Sequence, residues 1–267
     1  MSRKLLRMLR VTLLILFAAA FTMSIAIRGQ ITEEREAFER IAPPAIPTVE
    51  LSVTDVSSDF TPRPTEATVP AAPIQENAGR FAELIGENSD FFGWLRIDGT
   101  KINYPVMQSE EPDFYLHHDF FKNESVSGTP YIGKSCTAES DNIIIYAHNM
   151  KNGTMFTDLL RYADESFYQK HPTICFDTVQ ESAEYSIVAA FREKVHTQDE
   201  TDVFRYYNYV GALSESEYGD YIERIKAASI YDTGCTAVYG QKLITLSTCA
   251  YHTQNGRFVV VAVKQPA

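Results

Sequence analysis

Three residues have the types and settings that acyl chemistry requires. Cys249 closes the run Leu243-Ile244-Thr245-Leu246-Ser247-Thr248-Cys249, and Arg257 opens the run that continues through Phe258-Val259-Val260-Val261-Ala262-Val263. Both runs are apolar and β-branched, and Asn255-Gly256 between them is a turn signal, so the segment predicts a β-hairpin. A hairpin of this register sets a thiol at one strand end and a guanidinium at the start of the next. A cation beside a cysteine favours the thiolate, which is the reactive form, and a guanidinium can donate to a developing oxyanion. The third residue is His148, which ends a second apolar run, Asn142-Ile143-Ile144-Ile145-Tyr146-Ala147. An imidazole at a strand end is suited to move the proton that thiol chemistry must pass to a leaving amine. The bland reading of Cys249 is a buried cysteine in a core strand. His252, three residues after Cys249, is a local rival for the proton-transfer role.

The elements that must position these groups follow from composition and order. The chain has 267 residues and is 45% hydrophobic, enough for a folded core. Its net charge of −11 is unevenly spread. Residues 1–30 carry Arg3, Lys4, Arg7, Arg10 and Arg28 and no acid; those five taken from 24 leave 19 basic against 35 acidic residues, a net of −16. A domain so acidic is a poor fit for nucleic acid, whose affinity comes from neutralising phosphates. Cys136, Cys175, Cys235 and Cys249 show no CxxC or Cys/His ligand spacing, so no metal site is expected. With Cys249 free, at most one disulfide could form.

Residues 1–10 form a basic segment, and Val11 to Ile27 is an uncharged apolar run of seventeen residues, at the short limit for a membrane span. The basic flank orients such a span with the N-terminus in the cytoplasm and the rest outside. The reading is a retained signal anchor at 11–27; a cleavable signal peptide, suggested by Ala18-Ala19-Ala20, is the rival. Residues 28–75 read as a stalk: Ile31 to Ala42 could extend the helix, and seven prolines fall between Pro43 and Pro73. A folded domain is expected over 76–267. It starts with a short helix bearing Phe81, Leu84 and Ile85. Strands are expected at 93–97, 102–106, 129–132, 142–147, 173–177, 184–191, 237–246 and 257–263, with an Asp98-Gly99 turn between the first two. Many short strands at this spacing suggest a barrel or a sandwich. One amphipathic helix interrupts them, with a Ser214/Glu217 capping box and an apolar face of Tyr218, Tyr221, Ile222 and Ile225.

Over residues 76–267 and the N-terminal apolar run, the chain resembles a sortase, and most of all a class B sortase. The resemblance is carried by Thr245-Leu246-Ser247-Thr248-Cys249 with Arg257 after it, and by Tyr146-Ala147-His148-Asn149-Met150. Gly93-Trp94-Leu95, Tyr104-Pro105-Val106-Met107-Gln108, Phe114-Tyr115-Leu116 and Met155-Phe156 support it. The helix at 214–228 looks like the helical insert of class B. Ala147 stands where many members have Gly, and Tyr131-Ile132-Gly133 where many have an aromatic-Met-Asp run.

The resemblance implies a mainly β fold: a closed eight-stranded sortase-type barrel with an N-terminal helix and a helical insert before the catalytic strand. It implies a membrane-anchored cysteine transpeptidase needing no metal and no cofactor, with catalytic residues His148, Cys249 and Arg257. Cys249 would attack the carbonyl of a Thr in the C-terminal sorting motif of a surface protein, and a cell-wall peptide amine would take the acyl group from the thioester. Strand alternation puts Ser247 on the face of Cys249 and Tyr146 on the face of His148; these two, with Leu116 as groove wall, are the expected substrate contacts. Two other readings remain at this level: a secreted cysteine peptidase, in which water resolves the thioester, and a non-catalytic surface-binding module on a stalk.

Overall fold

The computed structural model describes residues 3–43, 77, 79–133 and 135–266. The Pro-rich part of the expected stalk, from Pro44 on, lies outside the described residues. Helix α1 runs from Arg3 to Ile41 and so takes in both the apolar run and the charged stretch after it. Its apolar run leaves Leu13, Leu14, Ile15, Leu16, Phe17, Phe21, Met23 and Ile25 exposed. Among the described residues no helix is long and apolar enough to cross a membrane. Near its end, Phe38 is buried and packs edge-on against Tyr104, ring centroids 5.5 Å apart.

A short helix α2 (Ala82–Glu87) leads into eight strands: β1 (Phe91–Arg96), β2 (Asn103–Met107), β3 (Tyr131–Ile132), β4 (Asn142–Tyr146), β5 (Thr173–Thr178), β6 (Ser182–Lys194), β7 (Leu243–Cys249) and β8 (Gly256–Lys264). They close into a barrel in the order β1-β2-β3-β4-β7-β8-β6-β5, the last strand pairing with the first. Closure removes every sheet edge that would otherwise need protection. The barrel is mixed: β2 with β3 and β4 with β7 run parallel, and the other pairs are antiparallel. Seven of the eight expected strands fall where their patterns put them, within a few residues. The stretch 237–246 differs. Residues 237–242 are not strand, because the chain turns there through Gly240 at φ +93°, and β7 begins only at Leu243. Helix α3 (Glu165–Lys170) and the 3-10 turns Phe114–Leu116, Phe156–Ala163 and Tyr206–Asn208 are not among the expected elements and are findings of the structure, although Phe156, Leu159 and Tyr162 bury every third residue of the second turn.

The core has two layers. Inside the barrel, Ile143, Ile145, Ile244, Leu246, Phe258 and Val260 meet Trp94, Leu95, Ile187 and others. Outside β4, β6, β7 and β8 a second cluster holds Ile144, Phe191, Leu243, Val259, Val261 and Val263. It is capped by helix α4 (Glu215–Ala228), whose buried residues are Tyr218, Tyr221, Ile222 and Ile225. The expected capping box forms at its start: the Ser214 hydroxyl accepts from the Glu217 N–H, and the Glu217 carboxylate accepts from the Ser214 N–H. All four cysteines are free thiols.

Candidate active site

Register brings the three candidate residues together. In the β7–β8 hairpin Cys249 is the direct cross-strand partner of Arg257. Opposite residues of an antiparallel pair share a face, with Cβ atoms about 4.5–5.5 Å apart. The second approach is non-local. β4 runs parallel to β7 with Tyr146 beside Ser247, so the chain just past β4 lies beside the end of β7. Three hydrogen bonds extend the pairing beyond β4: the Ala147 N–H donates to the Ser247 carbonyl (3.3 Å), the Thr248 hydroxyl donates to the Ala147 carbonyl (2.8 Å), and the Asn149 amide donates to the Cys249 carbonyl (3.0 Å). His148 is thereby held next to Cys249. Both border a cleft of about 440 Å³ whose wall also includes Leu116, Tyr131, Tyr146, Tyr206, Ser247 and Arg257.

His148 is set by a backbone carbonyl. Its Nε2 lies 2.9 Å from the Leu116 oxygen. A carbonyl can only accept, so Nε2 carries the proton and Nδ1 is the nitrogen left for exchange. Burial pushes the imidazole below its ordinary range, the Leu116 carbonyl raises it in part, and the nearby His117 ring lowers it. That carbonyl is reached across Gly128. A Cβ at Gly128, which sits at φ +61°, would fall 2.6 Å from the carbonyl oxygens of both Tyr115 and Leu116. The loop bonds the carbonyls on either side of Leu116: Thr129 N–H to Tyr115 (2.8 Å) and Ser125 N–H to His117 (2.8 Å).

The guanidinium of Arg257 is half-buried, and among the described residues its hydrogen bonds go to the carbonyls of Asn255 (3.3 Å) and Gly256 (3.0 Å). With five N–H donors it keeps several for a ligand. Its charge reaches two tyrosines of the cleft wall. Tyr206 is pushed up to about 12, first by burial, while its bond to Ser247 and the Arg257 charge pull the other way. Tyr131 is raised by burial and by its hydrogen bond to Asp113, again against Arg257.

The expected substrate contacts are placed unevenly. Tyr146 is half-buried on the cleft wall, its ring 5.7 Å from that of Tyr131. Ser247 lines the cleft but is buried, and its hydroxyl is 2.8 Å from the Tyr206 hydroxyl. Leu116 borders the cleft and holds His148 with its carbonyl. His252 is exposed in the hairpin loop and does not border the cleft. Sequence reasoning missed Tyr206, Tyr207, Asp113, Tyr131 and Asn149 as parts of the site; only Asn149, adjacent to His148, carried a local signal. Among the described residues no cluster of His, Cys, Asp and Glu could hold a metal ion.

Comparison with known proteins gives the family. The sortase-domain family model matches residues 95–265. Sortase B of Listeria monocytogenes is 34% identical over 177 residues, 65% of this chain and 69% of that protein. A Staphylococcus aureus sortase B–substrate complex superposes with a TM-score of 0.63 at 27% identity, covering 71% of this chain and 86% of that one. A sortase B complexed with triglycine gives the same TM-score, 0.63, at 27% identity, with 71% and 87% covered. A family model that takes in nearly the whole barrel, with relatives 27% and 34% identical over the aligned residues, makes this chain a member of the sortase family of cysteine transpeptidases, similar to sortase B.

Proposed function

We propose that this chain is a membrane-anchored transpeptidase that cuts a C-terminal sorting motif after Thr and joins the new acyl end to a cell-wall peptide amine. The observation that carries the reading is the meeting of three strand ends: the β7–β8 register pairs Cys249 with Arg257, and the parallel β4–β7 register sets His148 beside them. The thiolate of Cys249 attacks the Thr carbonyl, and Arg257 donates to the oxyanion that forms. His148, as imidazolium, protonates the departing amine, and the C–N bond breaks to leave a thioester on Cys249. The incoming amine then loses its proton to His148 as it attacks, and the thiolate is released. Tyr146, Leu116 and Ser247 contact the sorting peptide in the cleft, Ser247 in company with Tyr206. The substrate and triglycine complexes of related sortases B support a peptide donor and a glycine-type amine acceptor here.

The anchor is the apolar run of α1. Its seventeen residues rise about 26 Å as helix, slightly less than the roughly 30 Å hydrocarbon layer. What supports it is the ring of exposed Leu, Ile and Phe side chains, which water solvates poorly, and the basic residues before them. The proline-rich stretch after it serves as a stalk for the catalytic domain.

The test incubates the protein with sorting peptides, with and without triglycine, and weighs the products. An amide-linked peptide–triglycine adduct that requires Cys249 is the expected result. Hydrolysis alone, at any amine concentration, makes the protein a peptidase. No cleavage and no selective alkylation of Cys249 near neutral pH leaves a binding module. Membrane extraction with and without residues 11–27 tests the anchor separately.

A further inference from the structure

Arg257 has two cross-strand neighbours, and only one of them is Cys249. On its other side the β6–β8 register places Glu193 directly opposite it. Opposite charges at such positions attract and ordinarily pair. An ion pair here would neutralise the guanidinium and occupy donors that the oxyanion needs.

The structure shows Glu193 engaged elsewhere. Its Oε1 accepts from the Lys194 N–H (2.9 Å) and lies 3.1 Å from Nε2 of His196. The His196 side chain is only 8% exposed. Its Nδ1 is 2.8 Å from Glu200, which is also 2.8 Å from the Lys194 ammonium. Arg205 ties the same loop by donating to the Thr197 and Glu200 carbonyls (2.6 and 2.7 Å). The Tyr207 hydroxyl bridges the backbone of His196, accepting from its N–H (3.1 Å) and donating to its carbonyl (3.2 Å). Val195 and Tyr207 face the cleft beside Arg257. The imidazole is thus held at both ring nitrogens, and its backbone by Tyr207, in a position to hold the carboxylate.

We propose that His196 is a positioning residue for Arg257: it holds the Glu193 carboxylate and so prevents the cross-strand ion pair that would take the guanidinium away from the substrate. The arrangement gives the late β6 segment and the loop after it a part in catalysis without contact with the substrate. It rests on Arg257 acting at the oxyanion, as proposed above.

The experiment measures kcat and KM for a sorting peptide in the wild type, His196→Ala, Glu193→Gln and the double variant, each normalised to active sites counted by alkylation of Cys249. His196→Ala should lower kcat at least tenfold, with a smaller change in KM. Adding Glu193→Gln to it should restore most of the lost kcat, because the amide cannot neutralise Arg257. A merely structural His196 gives no such rescue, since Glu193→Gln does nothing to rebuild the loop. The inference is overturned if His196→Ala keeps wild-type kcat, or if the double variant stays as slow as His196→Ala. Arg257→Ala in the same series separates the two readings. Wild-type turnover in Arg257→Ala removes the oxyanion role itself; a slow Arg257→Ala with an unimpaired His196→Ala removes only the latch.

Discussion

The two faces of β4, β7 and β8 share one backbone and are both largely apolar, but they differ in how many polar groups they bury. The inner face carries Ile143, Ile145, Ala147, Ile244, Leu246, Phe258, Val260 and Ala262, sealed in the barrel core. The outer face begins just as buried but is laced with hydroxyls and amides. The Thr245 hydroxyl donates to Asn142 (2.9 Å) and meets the Tyr221 hydroxyl (2.8 Å); the Asn142 amide donates to the Tyr209 carbonyl (2.6 Å); Ser247 meets Tyr206 (2.8 Å). Alternation continues this face to His148 beyond Tyr146, to Cys249 beyond Ser247 and to Arg257 before Val259. The cover supplied by α4 and the turn at 206–208 ends after Ser247, and the next residues on the face open into the cleft. A nucleophile on the inner face would be sealed from any peptide. On the outer face it gains rigid, low-dielectric flanks and still reaches solvent. The helical insert and the reactive residues are thus two ends of one surface.

If that division is right, substitutions at the open end of the outer face remove turnover and leave the fold. Cys249→Ala is expected to abolish cleavage and transfer: Cys175 also stands opposite an arginine, Arg96, but on the β1–β5 pair, away from the cleft that His148 borders. His148→Ala should lose nearly all turnover, whereas His252→Ala, on the exposed loop, should keep most of it. Peptide turnover with a thermal melt for each variant reads both effects. Reversed behaviour of the two histidines would reassign the proton shuttle. Arg257 ranks next. Loss of one oxyanion donor costs about 10²–10³-fold in rate. Arg257→Ala should fall by at least that order, with Arg257→Lys, which keeps the charge but not the planar fork, recovering only part. A matching fall in melting temperature would instead make Arg257 a structural residue.

The sealed parts of the two faces should separate in the opposite sense. Leu246→Ala removes a fully buried inner-face side chain, and such truncations cost about 2–5 kcal/mol. Its turnover per folded molecule should stay near wild type. Tyr206→Phe deletes the hydroxyl that faces Ser247 and leaves a buried group unpaired, at about 1–3 kcal/mol. Because Ser247 and Tyr206 also line the cleft, this variant should raise KM as well as lower stability. Denaturant midpoints beside kcat and KM check the contrast, which fails if Leu246→Ala changes KM more than Tyr206→Phe does.

What was legible in the sequence was local. The hairpin, the capping box, the apolar face of α4 and the shared faces of Ser247 with Cys249 and Tyr146 with His148 follow from periodicity and turn chemistry that a few adjacent residues encode. The parallel pairing of β4 with β7 joins residues about a hundred positions apart, and spacing says nothing of it. That pairing is what brings histidine to cysteine, so the site was readable as parts and only the family resemblance joined them. Likewise the side chain of Leu116 was expected to matter as wall, whereas its backbone carbonyl orients His148, an atom every residue possesses. Ser247 looked available to a peptide, but Tyr206, forty-one positions away, already meets its hydroxyl. The missed start of β7 has a local cause: residues 237–242 are apolar enough for a strand, yet Gly240 at positive φ turns the chain.

The smallest expected effect concerns pH and again sets the two faces apart. Burial holds the His148 imidazole below its ordinary value of about 6.5, against the Leu116 carbonyl, which raises it. The unfolded chain therefore binds a proton here more readily than the folded one. Stability rises with pH wherever the unfolded state holds more protons, so the contribution of His148 is complete above about 6.5 and is lost as pH falls through the lower folded value. Melts at about pH 7.5 and about pH 5 should show a larger acid loss in the wild type than in His148→Gln, which cannot titrate. Leu246→Ala, on the inner face with no titrating group, should shift the melt by the same amount at both pH values. NMR titration of the ring reads the proton directly. An imidazole titrating above 6.5 reverses the sign: protonation would then favour the folded state, and His148→Gln would be the variant with the larger acid loss.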